Sequence, residues 1–200
     1  MKKIIVLITV VVIVFGGFLF ANYLKEQENQ EKSHKIYLAK KNQEFNDNYK
    51  LPTEILNKIK NSNENVAGLS WGISPDEITN RKISFLNTHR EGYRVYADNS
   101  IDESIGTRTL FFYDNVLVKV RIYLPKINLN SEFENELGKK YKLISHSKEN
   151  GLKIFESEHT RVSAKFYGLD GYDFVNKDFS NYLMQKEKNN NENKAKKLLN

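Results

Sequence analysis

Four histidines, His34, His89, His146 and His159, are the side chains of this chain best suited to move protons or bind a metal near neutral pH. They lie far apart in sequence, and none has a partner at metal-ligand spacing. No H-E-x-x-H pair, G-x-S-x-G elbow, phosphate-cradling glycine loop or dinucleotide fingerprint is present. The nearest approach to a hydrolytic constellation is His89 with Asp98 and Glu103, each of which reads equally as an exposed loop residue. Asp170-Gly-Tyr-Asp173 sets two carboxylates around a glycine, a fragment of calcium chemistry, but a twelve-residue loop closed by a bidentate Glu does not follow, so the segment reads as a turn. With no cysteine, thiolate catalysis, zinc-thiolate sites, disulfides and a lipidated N-terminal Cys are excluded. The expectation is a non-enzyme with no catalytic, cofactor-binding or metal residue.

What remains is recognition. Tyr93, Tyr96, Tyr113, Tyr123 and Tyr167 fall on strand segments, where a tyrosine ring buries area at low entropic cost and offers a hydroxyl to a partner protein. The competing reading is that these rings cap the core. For Trp71, packing is preferred over ligand stacking, because large aromatics mostly serve cores.

The stretch Gly106–Leu124 carries Tyr113 and Tyr123 and is the clearest structural signal in the chain. Both arms are rich in β-branched and aromatic residues, and Asp114-Asn115 between them tolerates positive φ, so the sequence predicts a hairpin. On the second arm Val116, Val118, Val120, Ile122 and Leu124 form one face, and Leu117, Lys119, Arg121 and Tyr123 the other, toward water. Pro125 stops the arm. Upstream, Ser74-Pro75-Asp76-Glu77 reads as a capping box that starts a helix, and Tyr93–Ala97 as a strand. After Ser131 the order repeats: Phe133, Leu137 and Tyr141 share a helix face, 152–157 and 160–167 flank Glu158-His159 as strands, and 172–175 supplies a third. The fold class expected is α+β, an antiparallel sheet with helices packed on one face in two helix-plus-strands units.

The termini set location. Lys2 and Lys3 precede an uncharged apolar run from Ile4 to Phe20 that continues weakly to Leu24. Residues 1–24 read as a signal anchor, the run being longer than a usual cleaved signal, with cleavage near Gly16, Gly17 or Ala21 as the alternative. Such an anchor, inserted through residues 4–24, leaves the N-terminus cytoplasmic and exports the rest; a cleaved leader would secrete it. Residues 25–65 read as a polar helical stalk, including a short amphipathic helix from Pro52-Thr53 with Ile55, Leu56 and Ile59 on one face. Residues 66–185 read as the globular domain and 186–200 as a basic flexible tail. Of the net charge of +6, residues 1–24 carry +2 and the tail +3, leaving +1 for the folded part. No basic face marks a nucleic-acid footprint.

Trp71-Gly72-Ile73-Ser74-Pro75-Asp76-Glu77-Ile78, then Leu110–Val120, then Leu137-Gly-Lys-Lys-Tyr141 with a strand pair, resembles small exported bacterial envelope proteins. These have tandem helix-plus-hairpin folds of the β-lactamase-inhibitor and SmpA/OmlA type, and the resemblance covers about residues 66–185. It implies a non-catalytic, protein-binding envelope role and carries over no functional residue. Many such proteins are lipoproteins, whereas this chain, lacking Cys, leaves tethering to its N-terminal helix. A small-ligand or lipid-binding domain is the alternative, and a hydrolase a more distant one.

Overall fold

The computed structural model describes residues 25–28, 32–33, 36, 40, 49–89, 91–101, 106–125, 127–147, 149, 151–166 and 170–199, which fall into two units, Met1–Asn48 and Tyr49–Asn200. The described part of the first unit is helical, with Lys32 Nζ 2.7 Å from Glu28 Oε1 one turn away. The apolar run 4–24 lies outside the described residues; among those described, no helix is long and apolar enough to cross a membrane.

The second unit opens with α1 (Thr53–Lys60), the two-residue strands β1 (Asn65–Val66) and β2 (Leu69–Ser70), and a single 3₁₀ turn at Pro75–Glu77. Then come β3 (Ile83–Thr88), β4 (Tyr93–Asp98), β5 (Thr107–Tyr113) and β6 (Val116–Tyr123). The helix α2 (Ile127–Lys140) leads to β7 (Lys142–His146), β8 (Lys153–Glu156), β9 (Thr160–Phe166), β10 (Asp170–Asn176) and finally α3 (Lys177–Leu199). The unit is α+β: one eight-stranded antiparallel sheet in the order β3-β4-β5-β6-β10-β9-β8-β7, with β1 and β2 paired apart from it.

The β5–β6 hairpin forms where the sequence asks for it. Asp114 and Asn115 take φ of +50° and +61°, a left-handed pair whose twist matches that of the flanking strands. Asp114 Oδ2 also accepts the Leu51 N–H at 2.9 Å, so the turn anchors the chain entering α1. Asn115→Gly is expected to stabilise the unit by about 0.5 kcal/mol, because glycine enters positive φ without the Cβ cost that asparagine still carries. A raised urea midpoint at unchanged slope would show it.

The alternation expected on β6 holds from Lys119 to Tyr123 and then breaks. Pairing passes from Phe111↔Lys119 to Phe112↔Leu117, so Val118 is an extra residue, a β-bulge. Leu117, expected to face water, is instead fully buried opposite Phe112. The bulged strand bonds outward as well, Gly72 N–H donating to the Leu117 carbonyl at 3.0 Å and Leu117 N–H to that of Ile73 at 2.9 Å.

One register row crosses all eight strands, Phe85–Tyr96–Leu110–Val120–Phe174–Val162–Phe155–Leu143, and every member is apolar or aromatic. Its four central members are buried, and α2 covers that side: the Phe133 ring lies 4.6 Å from Tyr172 and 6.4 Å from Phe174, and Tyr141 lies 6.0 Å from Phe174. The helix face read from Phe133, Leu137 and Tyr141 is the face that packs.

Several boundaries move. Leu51 and Ile59 are buried in the same core as Trp71 and Phe179, so the globular unit begins at Tyr49 rather than at Val66, and α1 is part of the fold, not of a stalk. The Ser74 box forms, with Ser74 N–H donating to Glu77 Oε2 at 2.7 Å, yet the helix ends at Ile78, where ψ of +77° leaves the helical region. Asp170–Asp173, expected as a turn, belongs to β10. After Gln185, α3 continues to Leu199, extended from a first turn in which Asn176 Oδ1 accepts the Phe179 N–H at 3.1 Å.

Candidate functional site

Lys119, Arg121 and Tyr123 alternate along β6 with the buried Val120 and Ile122, which places them on the sheet face opposite α2. Register brings Phe111 of β5 beside Lys119 and Asp173 of β10 beside Arg121. Asp173 grips the guanidinium with two bonds, from Nε to Oδ1 at 2.6 Å and from Nη2 to Oδ2 at 2.8 Å, and Lys119 Nζ adds a third contact to Oδ2 at 2.8 Å. The Arg121 guanidinium lies 5.6 Å from the Phe111 ring centre and 5.8 Å from that of Tyr123, and its Nη1 donates to Tyr123 Oη at 3.3 Å. Gly171, opposite Tyr123, leaves room for that ring: a Cβ there would stand 3.0 Å from Tyr123 Cε1.

Charge is fixed in this cluster rather than poised. Burial works to raise the Asp173 pKa, but the bonds and charges of Arg121 and Lys119 outweigh it and hold the carboxyl below its ordinary value. The bond to Asp173 likewise drives the Arg121 pKa upward against burial. Both groups stay ionised across the neutral range, so neither suits general acid–base work. What the arrangement offers is a rigid, half-exposed array of Arg, Lys, Phe and Tyr whose conformational entropy is already spent.

The expected tyrosines do not share one surface. Tyr123 belongs to this face. Tyr93 sits at its end, half-buried, its ring 5.9 Å from Phe111 and 5.9 Å from Phe179, and burial pushes its hydroxyl pKa up. Tyr113 is 1% exposed and belongs to the core, so it does not serve as a contact surface. Tyr96 lies on the opposite face against Phe85 and Phe112, and Tyr167 is outside the described residues. Trp71 is a packing residue, 1% exposed.

The histidine constellation is not assembled. His89 is exposed, and Asp98 lies at the far end of β4, about 17 Å along a strand of this length. Asp98 is instead clamped by Arg81 and Arg108, and Glu103 is outside the described residues. Among the described residues no group of three or more His, Cys, Asp or Glu could hold a metal ion. His159 borders an open cleft of about 610 Å³ between α1 and α3, together with Asn57, Lys58, Glu158 and Asp178.

Sequence reasoning missed the Arg121–Asp173 pair because 52 residues separate its members and only the β6–β10 register joins them. Comparison with family models, with curated proteins and with solved structures finds no match for this chain.

Proposed function

We propose that this chain is a membrane-anchored, exported domain of the bacterial cell envelope that acts as a non-catalytic protein-interaction module. Residues 4–24 hold it to the membrane, and the sheet face bearing Phe111, Lys119, Arg121 and Tyr123 meets the partner. The observation that carries the reading is the Arg121 guanidinium, locked by Asp173 between two rings on a half-exposed face. Preorganised Arg and aromatic side chains are the residue types that dominate protein–protein hot spots.

The tandem design expected of small envelope domains agrees with this reading. Strands β3 to β6 and β7 to β10 are two successive meanders, each starting at an outer edge and ending at the centre, where Val120 pairs with Phe174. Val120 and Phe174 lie on the face that α2 covers; on the other, Phe179 of α3 packs over Tyr93 and Tyr113 at one end, and the stretch bearing Lys119, Arg121 and Tyr123 supplies the partner surface.

Photocrosslinking of the full chain in native membranes, followed by affinity capture, tests the proposal. A partner captured reproducibly by the wild type and by Tyr96→Ala, which alters the opposite face, should be lost with Tyr123→Ala and Phe111→Ala. Retention by all three variants, or purification of the chain with a bound lipid, would overturn it.

A further inference from the structure

The two rims of the sheet are built alike and charged differently. Each outer strand carries an adjacent apolar pair that faces solvent, Phe85 (55%) and Leu86 (54%) on β3, Leu143 (49%) and Ile144 (54%) on β7. Each pair sits at a register shift. Outer strands of soluble proteins are usually blunted by Lys, Pro or a bulge. Here β3, Ile83-Ser-Phe-Leu-Asn-Thr88, is bulged at Leu86 but contains no charge and no proline, whereas β7, Lys142-Leu-Ile-Ser-His146, begins on a lysine.

Hydrogen-bond parity shows which β3 groups face outward. Asn99 N–H donates to the Lys82 carbonyl at 2.8 Å, so Lys82 bonds inward, as does Ser84 two residues on, opposite Ala97. The backbone N–H and C=O of Ile83 and Phe85 therefore point away from the sheet. The bulge at Leu86 ends this run, leaving Ile83–Phe85 as the regular arm.

We propose that two copies of this chain pair through β3, antiparallel about a two-fold axis at Ser84, merging their sheets into one. The axis sets Ile83 against Phe85 of the copy, where the outward backbone groups of both residues bond to each other. It also forms two aromatic–β-branched side-chain pairs, a favoured cross-strand combination. Lys82 then faces Leu86 of the copy, so no like charges meet. The same operation on β7, centred on Ile144, would set Lys142 against His146 and Leu143 against Ser145 of the copy, polar partners that forgo the two apolar pairs formed by β3. The contact lies on a rim and leaves the face of Arg121 free, so it stands or falls separately from the partner surface proposed above.

The short arm implies a small, transient interface, for which covalent trapping is the appropriate assay. The chain has no native cysteine, so a single introduced thiol reports without background. Ser84 would sit in a non-hydrogen-bonded pair with its copy, at a Cα separation of about 4.5 Å that a disulfide spans. Full-length Ser84→Cys, oxidised in membranes of an expressing bacterium, should give roughly 10-fold more homodimer than Ser145→Cys on β7. Adding Phe85→Lys should return it to the Ser145→Cys level, with circular dichroism unchanged. Equal crosslinking at the two positions, or a monomer throughout, would overturn the proposal. Trapping of Ser84→Cys on a different protein would also overturn it, assigning the rim to strand addition by a foreign chain.

Discussion

Replacing Asp98 by alanine is expected to lower the thermal unfolding midpoint by roughly 6–20 °C, the consequence of breaking a buried ion pair at about 3–5 kcal/mol in a unit of this size. The Asp98 side chain has no exposure, and its Oδ2 accepts from Arg81 Nη1 and from Arg108 Nη1, both at 2.9 Å, while those arginines are only 15% exposed. Oδ1 takes the Ser100 N–H at 3.0 Å. The Ala67 carbonyl completes the clamp, accepting from Arg81 Nη2 at 2.6 Å and from Arg108 Nη1 at 3.3 Å. It is delivered by the tight Ala67-Gly68 turn, both at positive φ, and a Cβ on Gly68 would stand 2.7 Å from Arg81 Nη2. Arg108 Nε is already buried without a partner among the described residues, so losing Asp98 would leave two adjacent cations with one carbonyl between them.

The same site gives acid sensitivity with a defined sign. Burial pushes the Asp98 pKa up, but the Ser100 and Arg81 bonds and the Arg108 charge outweigh it, so the folded value lies below the ordinary one. A depressed carboxyl stabilises the fold above its unfolded pKa of about 4 and loses that contribution as pH falls through the folded pKa. Wild-type and Asp98→Ala melting points should therefore converge below about pH 4. Asp98→Leu combined with Arg81→Met and Arg108→Met should recover most of the loss, because an apolar replacement of all three members removes the uncompensated charge. A single-variant shift of under about 2 °C at neutral pH would show that the clamp is not a stabilising element.

The parts of the fold that were legible in the sequence are those written locally. Asp-Asn between two β-rich arms specifies a turn whatever surrounds it, and Phe133, Leu137 and Tyr141 name a helix face by spacing alone. The rim strands were not legible, because an outer strand need not alternate: β3 and β7 are exposed on nearly every residue and carry no period-2 signal. Asp170-Gly-Tyr-Asp173 has turn composition, yet pairing of Asp173 with Arg121 across the ladder overrides propensity. The candidate face was legible in half, since the sequence exposed Lys119, Arg121 and Tyr123 on one side of β6 but gave no sign of the carboxylate that locks them. The tyrosines misled because a ring type does not specify a sheet face. Once strand register was set, Tyr96 and Tyr123 fell on opposite sides and Tyr113 inside.

Trp71→Ala is expected to cost about 3–5 kcal/mol, the range for a large ring removed from a packed interior that cannot collapse. Collapse is prevented on both sides. Gly72 follows at φ +79°, and even a Cβ there would come within 2.9 Å of Lys60 Cα, so the backbone around the ring is already in contact with α1. On the other side Trp71 Nε1 donates to Thr160 Oγ1 at 2.9 Å, and that hydroxyl donates onward to Glu64 Oε2, joining the segment before the sheet to the start of β9. Burial works to raise the Glu64 pKa, but the Ser157 and Thr160 bonds hold it below the ordinary value, so Thr160 keeps an ionised acceptor even when the indole is removed. Packing and hydrogen bonding are therefore separable. Trp71→Phe should keep most of the volume and cost about 1–3 kcal/mol, and Thr160→Val should cost a similar amount by orphaning the indole N–H in place. Because Trp71 is the single tryptophan, its emission reports Thr160→Val directly: a change in spectrum with the fold intact is expected when the Nε1–H loses its acceptor. Urea unfolding followed by circular dichroism ranks the three variants, and a Trp71→Ala cost below about 1 kcal/mol would mean that the ring is not the wedge on which the core closes.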